Sequence, residues 1–245
     1  MRQTRCFVDA VLAVGGEIEL SDSASNHLLR VLRLDSGDVV SLFNGDGYDY
    51  AAVLVRSGRN AALARLTERT AVNSESSLYI TLVQGIARGE KMDFILQKAT
   101  ELGVAEVWPV YTERTEVRLD ADRLRKRLGH WRGVIQSACE QCGRARVPLL
   151  AEPRNLGKMI ADLPKDGLRL TLDPRGELSY TALTNPNPSG LAFAIGPEGG
   201  FSAVERDQLT AAGFKGMRLG PRILRTETAG LAAMAILQAR FGDLG

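Results

Sequence analysis

Two glycine-rich segments near the C-terminus hold the residues best placed to do chemistry. One is Ile195-Gly196-Pro197-Glu198-Gly199-Gly200-Phe201-Ser202. The other is Leu219-Gly220-Pro221-Arg222-Ile223-Leu224-Arg225-Thr226-Glu227-Thr228-Ala229. Each joins an apolar, strand-like run to a helix through a turn that needs glycine. Glycine has no side chain to keep a ligand off the backbone and tolerates positive φ. Two such turns in one domain point to a ligand site made of main chain. The first lies after a strand and before a helix, the usual ligand position in an open α/β sheet. It is not a phosphate loop, because no Gly-Lys-Ser/Thr follows, and G-x-G-x-x-G is absent.

Metal and disulfide chemistry fit the chain poorly. Cys6, Cys139 and Cys142 are its three cysteines, and His27 and His130 its two histidines. Cys139 and Cys142 have zinc half-site spacing, but no second pair is present and a structural zinc site needs four ligands. No metal is therefore expected, and the i, i+3 thiols read as one helix face. No 18-residue apolar run and no signal peptide occur, so a cytoplasmic protein without membrane contact is expected.

The net charge of the 245 residues is only +2, and the charge is uneven. Residues 1–72 carry 8 Lys/Arg against 9 Asp/Glu, whereas residues 114–146 carry 9 against 4. That local excess is the one compositional hint of a polyanionic partner.

The elements that must position these residues follow from pattern. The first seventy residues read as short strands with turns: Val39–Phe43 and Tyr50–Val55 flank the hairpin loop Asn44-Gly45-Asp46-Gly47. Residues 22–33 read as one short helix. A small barrel over residues 1–72 is the expected outcome. The polar stretch Thr70–Ser76 marks a boundary. From residue 73 to 245 strands and helices alternate, which implies a largely parallel α/β sheet covered on both faces. The expected strands are Leu78–Val83, Ala105–Val110, Leu168–Leu172, Leu191–Ile195 and Gly216–Leu219. The expected helices include Lys91–Leu102, ended by Gly103, and residues 121–142, whose Leu124, Leu128, Trp131, Ile135, Ala138 and Cys142 share one face. Ser202-Ala203-Val204-Glu205 is a capping box opening a helix that stops at Gly213. The last helix runs from Thr226 to about Arg240.

The segments IGPEGGFS and LGPRILRTETA, with HLLRVLRLDSGD, KATELGV and SACEQCGRARVP in the same order, resemble the knotted SPOUT class of S-adenosylmethionine-dependent RNA methyltransferases. Within that class the chain is similar to the RsmE family, which methylates N3 of one uridine in bacterial 16S ribosomal RNA. The resemblance covers nearly the whole chain. It implies a C-terminal trefoil-knot α/β domain, a small N-terminal PUA-like barrel used on RNA, and a homodimer. It also implies 16S rRNA, within the small ribosomal subunit, as partner. Another RNA target, or a non-catalytic ribosome-assembly factor, are the alternative readings.

The resemblance implies S-adenosylmethionine bent between three loops: Leu172-Asp173-Pro174, Ile195 to Gly200 (with Gly196, Pro197, Glu198 and Gly199), and Met217 to Ala229. Adenine would lie on Leu219, Ile223 and Leu224. Gly196, Gly199 and Gly200 would leave room for ribose and methionine, with Gly220 in the third turn. Thr226 and Thr228 would touch the cofactor, cap the helix, or both. The reaction needs negative charge stabilised on the uracil oxygens, for which Arg225 is the first candidate. It also needs a proton acceptor, for which Glu227 or Glu198 is nearest in sequence. The alternative reading has Glu198 bracing its turn and Glu227 serving as a first-turn helix residue favoured by the dipole. RNA contacts are expected from Arg88 and Lys91, from Lys98 and Glu101, and from Glu140, Gln141, Arg144 and Arg146. At a distance they are expected from Arg5, Arg30 and Arg33.

Overall fold

The computed structural model describes residues 4–57, 61–116, 120–176, 178–184 and 190–245. The chain divides into two units, Met1–Glu75 with Gln136–Val147, and Ser76–Ile135 with Pro148–Gly245.

The first unit contains β1 (Arg5–Phe7), β2 (Glu17–Glu19), α1 (Asp22–Asn26), β3 (Val39–Phe43), β4 (Tyr48–Ser57) and β5 (Ala61–Ala71). The strands form one sheet in the order β1-β3-β4-β5-β2. Every second residue of β5, namely Ala62, Ala64 and Leu66, is buried with Val40, Leu42, Tyr50 and Leu54, while Arg65, Thr67 and Arg69 between and beyond them face out. This alternation packs one side of an antiparallel pair on a core and wets the other. The single helix expected over 22–33 is instead α1 followed by a π-helical turn, His27–Val31. The wider turn buries Leu28 and leaves Arg30 exposed.

The stretch 136–147 is tied into this unit by side chains. Arg5 donates to both oxygens of Asp49, to Cys139 O at 2.7 Å and to Arg144 O at 3.0 Å. Its guanidinium lies 4.5 Å from the centre of the Phe43 ring. Glu140 Oε1 accepts from Phe7 N, and Arg144 pairs with Glu75.

The second unit begins with β6 (Ile80–Gly85), α2 (Glu90–Glu101), β7 (Glu106–Tyr111) and α3 (Ala121–Cys142). There follow β8 (Leu149–Leu150), β9 (Arg154–Asn155), α4 (Leu156–Asp162), β10 (Leu168–Leu172) and β11 (Leu178–Ser179). The chain ends with β12 (Leu191–Ile195), α5 (Ala203–Ala211), β13 (Lys215–Arg218) and α6 (Thr226–Phe241). The sheet order is β11-β13-β10-β12-β6-β7-β8, with β9 also on β7, and the pairings are parallel. All six residues of β6 are buried, as expected for a central strand covered on both faces. The expected face of α3 is the one that packs: Leu128, Trp131, Ile135 and Ala138 are buried. The capping box at Ser202 and Glu205 is present.

One crossing positions everything that follows. β13 lies between β10 and β11, although those two are consecutive in the chain. Leu172 and Leu178 both pair with Met217, so the chain leaving β10 through residues 173–176 bridges over β13 at that level. The bridge passes so close that a Cβ on Gly176 would lie 2.5 Å from Gly216 O. Only glycine fits there. An earlier connection arching over a later strand is how a chain becomes threaded, an arrangement most folds avoid.

Candidate active site

Strands β10, β12 and β13 are neighbours, and their C-terminal ends release three loops at one edge of the sheet. Together the loops line a cleft of about 510 Å³. The lining includes Leu172, Asp173, Ile195, Gly196, Pro197, Glu198, Gly199, Gly200, Met217, Leu219, Gly220, Ile223, Leu224, Arg225, Thr226 and Ala229. Pro174, Glu227, Arg222 and Lys91 complete it. The structure thus gathers all but one of the residues that sequence placed around a cofactor. The exception is Thr228, which is exposed on the far side of the first turn of α6 and does not line the cleft.

The loop from Ile195 to Gly200 is clamped from three directions. The Thr226 hydroxyl donates to Gly196 O at 2.6 Å and accepts from Gln84 Nε2 at 3.1 Å. Gln84 Nε2 also donates to Gly85 O. Both carbonyls can only accept, so every donor direction in this relay is fixed. Thr226 is therefore no N-cap: the capping position is Arg225, whose side chain makes no cap bond. Glu198 Oε1 accepts from Arg88 N at 3.1 Å and from Lys91 Nζ at 3.0 Å. Arg114 Nη1 donates to Gly199 O at 2.6 Å. Packing adds to these bonds, since a Cβ on Gly85 would sit 2.5 Å from Pro197 Cδ.

The two candidate carboxylates differ. Partial burial pushes the Glu198 carboxyl up, but hydrogen bonds from its own backbone, Lys91 and the Arg88 amide together outweigh that and hold it below the usual value. Glu198 is a committed anion whose task is to brace the loop. Glu227 Oε2 is buried with no hydrogen-bond partner among the described residues. A carboxylate oxygen left unsatisfied beside a cleft is costly without a ligand group to meet it.

The third loop suits a purine. Among the described residues, the main-chain N–H groups of Leu219, Gly220, Arg222, Ile223 and Leu224 find no protein acceptor. Ile223 is 85% exposed at the mouth, and Leu219 and Leu224 are half-buried. Open amides beside apolar side chains can read the edge and cover the face of an adenine. The volume lies within the range of small-molecule sites.

Residues 74–238 match the family model for an RNA methyltransferase domain, and residues 20–67 match the RNA methyltransferase PUA domain. The ribosomal RNA small subunit methyltransferase E of Buchnera aphidicola (Schizaphis graminum) is 31% identical over 99% of this chain and 98% of its own length. The chain belongs to the ribosomal RNA small subunit methyltransferase E family. Among solved members, the Neisseria gonorrhoeae methyltransferase E bound to S-adenosyl methionine is 36% identical, with a TM-score of 0.91 over 100% of both chains. A methyltransferase of Legionella pneumophila in complex with S-adenosylmethionine is 38% identical, with a TM-score of 0.95 over 100% of both chains. The expected architecture, a C-terminal α/β methyltransferase domain of the knotted class and an N-terminal PUA-like domain, is borne out.

Several residues expected to meet RNA are engaged within the protein. Arg5 and Arg144 have only 8% and 6% of their side chains exposed, and both are paired with carboxylates, so they hold 136–147 in place. Glu140 is occupied by Phe7 N. Lys98 and Glu101 pair with each other, and Lys91 braces Glu198. Arg88 pairs with Glu116 on the surface, where both stay more than half exposed. Arg30, Arg33, Gln141 and Arg146 are exposed, with Arg146 packed over Gly47. Gln84 and Arg114 were missed. Their only sequence signals were a glutamine at the end of an apolar strand and an isolated arginine in a loop.

Proposed function

We propose that this protein is an S-adenosylmethionine-dependent methyltransferase that modifies N3 of a uridine in 16S rRNA of the small ribosomal subunit. The observation that carries the reading is the cleft, in which three loop ends meet and one presents unspent amides beside apolar side chains. Full-length likeness to relatives solved with S-adenosylmethionine supports that cofactor for this site.

The three loops, through Leu172 and Asp173, Ile195 to Gly200, and Met217 to Ala229, would hold the cofactor, with adenine on Leu219, Ile223 and Leu224. When bound, the cofactor supplies a methyl group already activated on sulfonium, so neither a metal nor a covalent enzyme intermediate is called for. The protein's work is on the acceptor. N3 of uracil must lose its proton, and the charge then spreads to O2 and O4. Arg225, exposed at the cleft, stabilises that charge. Glu227, with its unsatisfied oxygen, takes the proton in preference to the engaged Glu198.

A homodimer is part of the reading. Leu231, Ala232, Ala235 and Ile236 on α6 are only half-buried in one chain, an apolar face suited to a second copy. No helix among the described residues is long and apolar enough to cross a membrane, and action on ribosomal RNA would place the protein in the cytoplasm.

The test is methyl transfer from labelled S-adenosylmethionine to unmodified small subunits and to their extracted RNA, with the product nucleoside identified by mass spectrometry. 3-Methyluridine from 16S rRNA is expected. Product from another RNA, or none, overturns the assignment. Arg225→Ala should lower kcat by about 100-fold or more while cofactor affinity stays within severalfold. Loss of cofactor binding instead would make Arg225 a cofactor ligand.

A further inference from the structure

The 195–200 loop has a second face. Adjoining the cofactor cleft lies a second pocket of about 470 Å³ that shares residues of all three loops with it: Leu172 to Pro174, the glycines Gly196, Gly199 and Gly200, and Ile223. Three arginines from three different elements line it: Arg114 after β7, Arg175 in the bridge over β13, and Arg206 in α5. Arg114 donates one N–H to Gly199 O, and Arg206 donates one to Phe201 O at 2.7 Å. Those bonds fix both guanidinium planes and leave most of their five donors unspent.

No carboxylate neutralises two of these cations. Arg175 lies 3.6 Å from Asp173, a loose contact with the arginine 77% exposed. Arg114 and Arg206 have no ion-pair partner among the described residues. Of the acids adjacent to them in sequence, Glu205 is buried and spends one oxygen on Ser202 N and the other on Glu113 N, and the exposed Glu113 and Asp207 form no ion pair among the described residues. Two oriented, uncompensated guanidinium groups in a concave site favour a bound oxyanion. Their fork geometry suits phosphate better than a lone lysine would.

We propose that this pocket seats a phosphodiester of the RNA substrate beside the nucleotide presented to the cofactor cleft. The proposal rests on the RNA-methyltransferase reading above and deepens it. Because the same three loops wall both spaces, a phosphate held by Arg114 and Arg206 sits next to the cofactor cleft. The same contact that anchors the strand would therefore set how far the target base can enter.

The experiment measures binding of an unmodified 16S rRNA transcript from about 50 to 200 mM salt, together with calorimetric affinity for S-adenosylmethionine. The proteins compared are wild type, Arg206→Gln, Arg206→Lys and Arg114→Gln. Each Gln variant should weaken RNA binding about five- to tenfold and flatten the salt slope by about 0.7, the share of one single-stranded phosphate. Arg206→Lys should keep the slope. Cofactor affinity of Arg206→Gln should stay within about twofold of wild type. An unchanged slope overturns the proposal. So does weakened cofactor binding with RNA affinity intact, which would make these arginines braces of the loop. Methyl transfer by the wild type tests the underlying reading separately. If it fails, that reading falls, and the binding slopes still decide whether the pocket holds phosphate.

Discussion

Replacing Thr226 by Val keeps the shape of the side chain and removes the hydroxyl that joins Gln84 to the cofactor loop. Thr226 is 7% exposed and Gln84 is fully buried, so water cannot easily stand in. The change strips Gly196 O of its 2.6 Å partner and takes one of two acceptors from Gln84 Nε2, whose Oε1 is already unpartnered. Leaving a buried polar group unsatisfied costs about 1–3 kcal/mol. Gln84 keeps Gly85 O, so most of the penalty falls on the Gly196 carbonyl. The loop remains clamped at Glu198 and Gly199, so it should not unfold, but Gly196 loses its register over α6. If the loop must recover that register to bind, about 1.4 kcal/mol of the penalty appears as a tenfold rise in Kd for S-adenosylmethionine. Calorimetry on wild type, Thr226→Val and Thr226→Ser checks this, with thermal melts alongside. Serine restores the hydroxyl and should bind within about twofold of wild type. Wild-type affinity in Thr226→Val, even with a lowered Tm, would refute the claim that the relay positions the loop.

Arg5→Ala should act on stability and not on RNA affinity. It unpairs Asp49 and frees two carbonyls of the 136–147 stretch. Breaking a largely buried pair costs about 3 kcal/mol or more, visible as a lower urea midpoint, and an unchanged midpoint would return Arg5 to the surface. Thiol labelling of the native protein should modify Cys142 first. Burial pushes the Cys6 and Cys139 thiols up to about 12, so neither is thiolate at neutral pH, and equal labelling of all three would contradict this packing. The Glu198 brace has a definite pH sign. Its folded value lies below the ordinary one, so its contribution is complete above the unfolded value and is lost as pH falls through the folded value. Cofactor affinity should therefore show no Glu198 titration at neutral pH and should fall on strong acidification. Glu198→Gln should remove that acid limb, and its persistence in the variant would assign it elsewhere.

Legibility in the sequence followed the locality of the cause. The glycine turns, the capping box at Ser202 and the face of α3 are set by neighbours a few residues apart, and all were readable. The long strand β5 was not. Its outward positions carry Arg65, Thr67, Glu68 and Arg69, and only Leu66 among its inward residues is a large apolar one, so the alternation is weak and the segment resembles a polar linker. The helix over 22–33 was read as continuous because residue types alone do not mark where an α-helix widens into a π-helical turn. Burial of Arg5 and Arg144 was invisible for a different reason. Their partners lie 44 and 69 residues away, and an arginine in a basic stretch looks like a surface group until its carboxylate is found. Thr228 was misplaced by one step of a helix: once α6 begins at Thr226, residues 226 and 229 face the cleft and 228 cannot.

The same contrast explains why the glycine-rich loop at the cleft was legible but its rigidity was not. Its glycines make it possible for the chain to fold tightly, and alone they would also make it loose. What stiffens it comes from outside: Thr226 on α6, Arg88 and Lys91 around the start of α2, and Arg114 after β7, each meeting a different loop residue. These elements flank strands that are not neighbours in sequence, and they come together only when the sheet order β13-β10-β12-β6-β7 is complete. The bridge over β13, where Gly176 passes Gly216, is part of that same assembly. A site of main-chain groups needs such external fixing, because its affinity depends on holding backbone donors in place before the ligand arrives. Cofactor affinity is therefore a property of the completed second unit and not of the two glycine-rich segments that announce it.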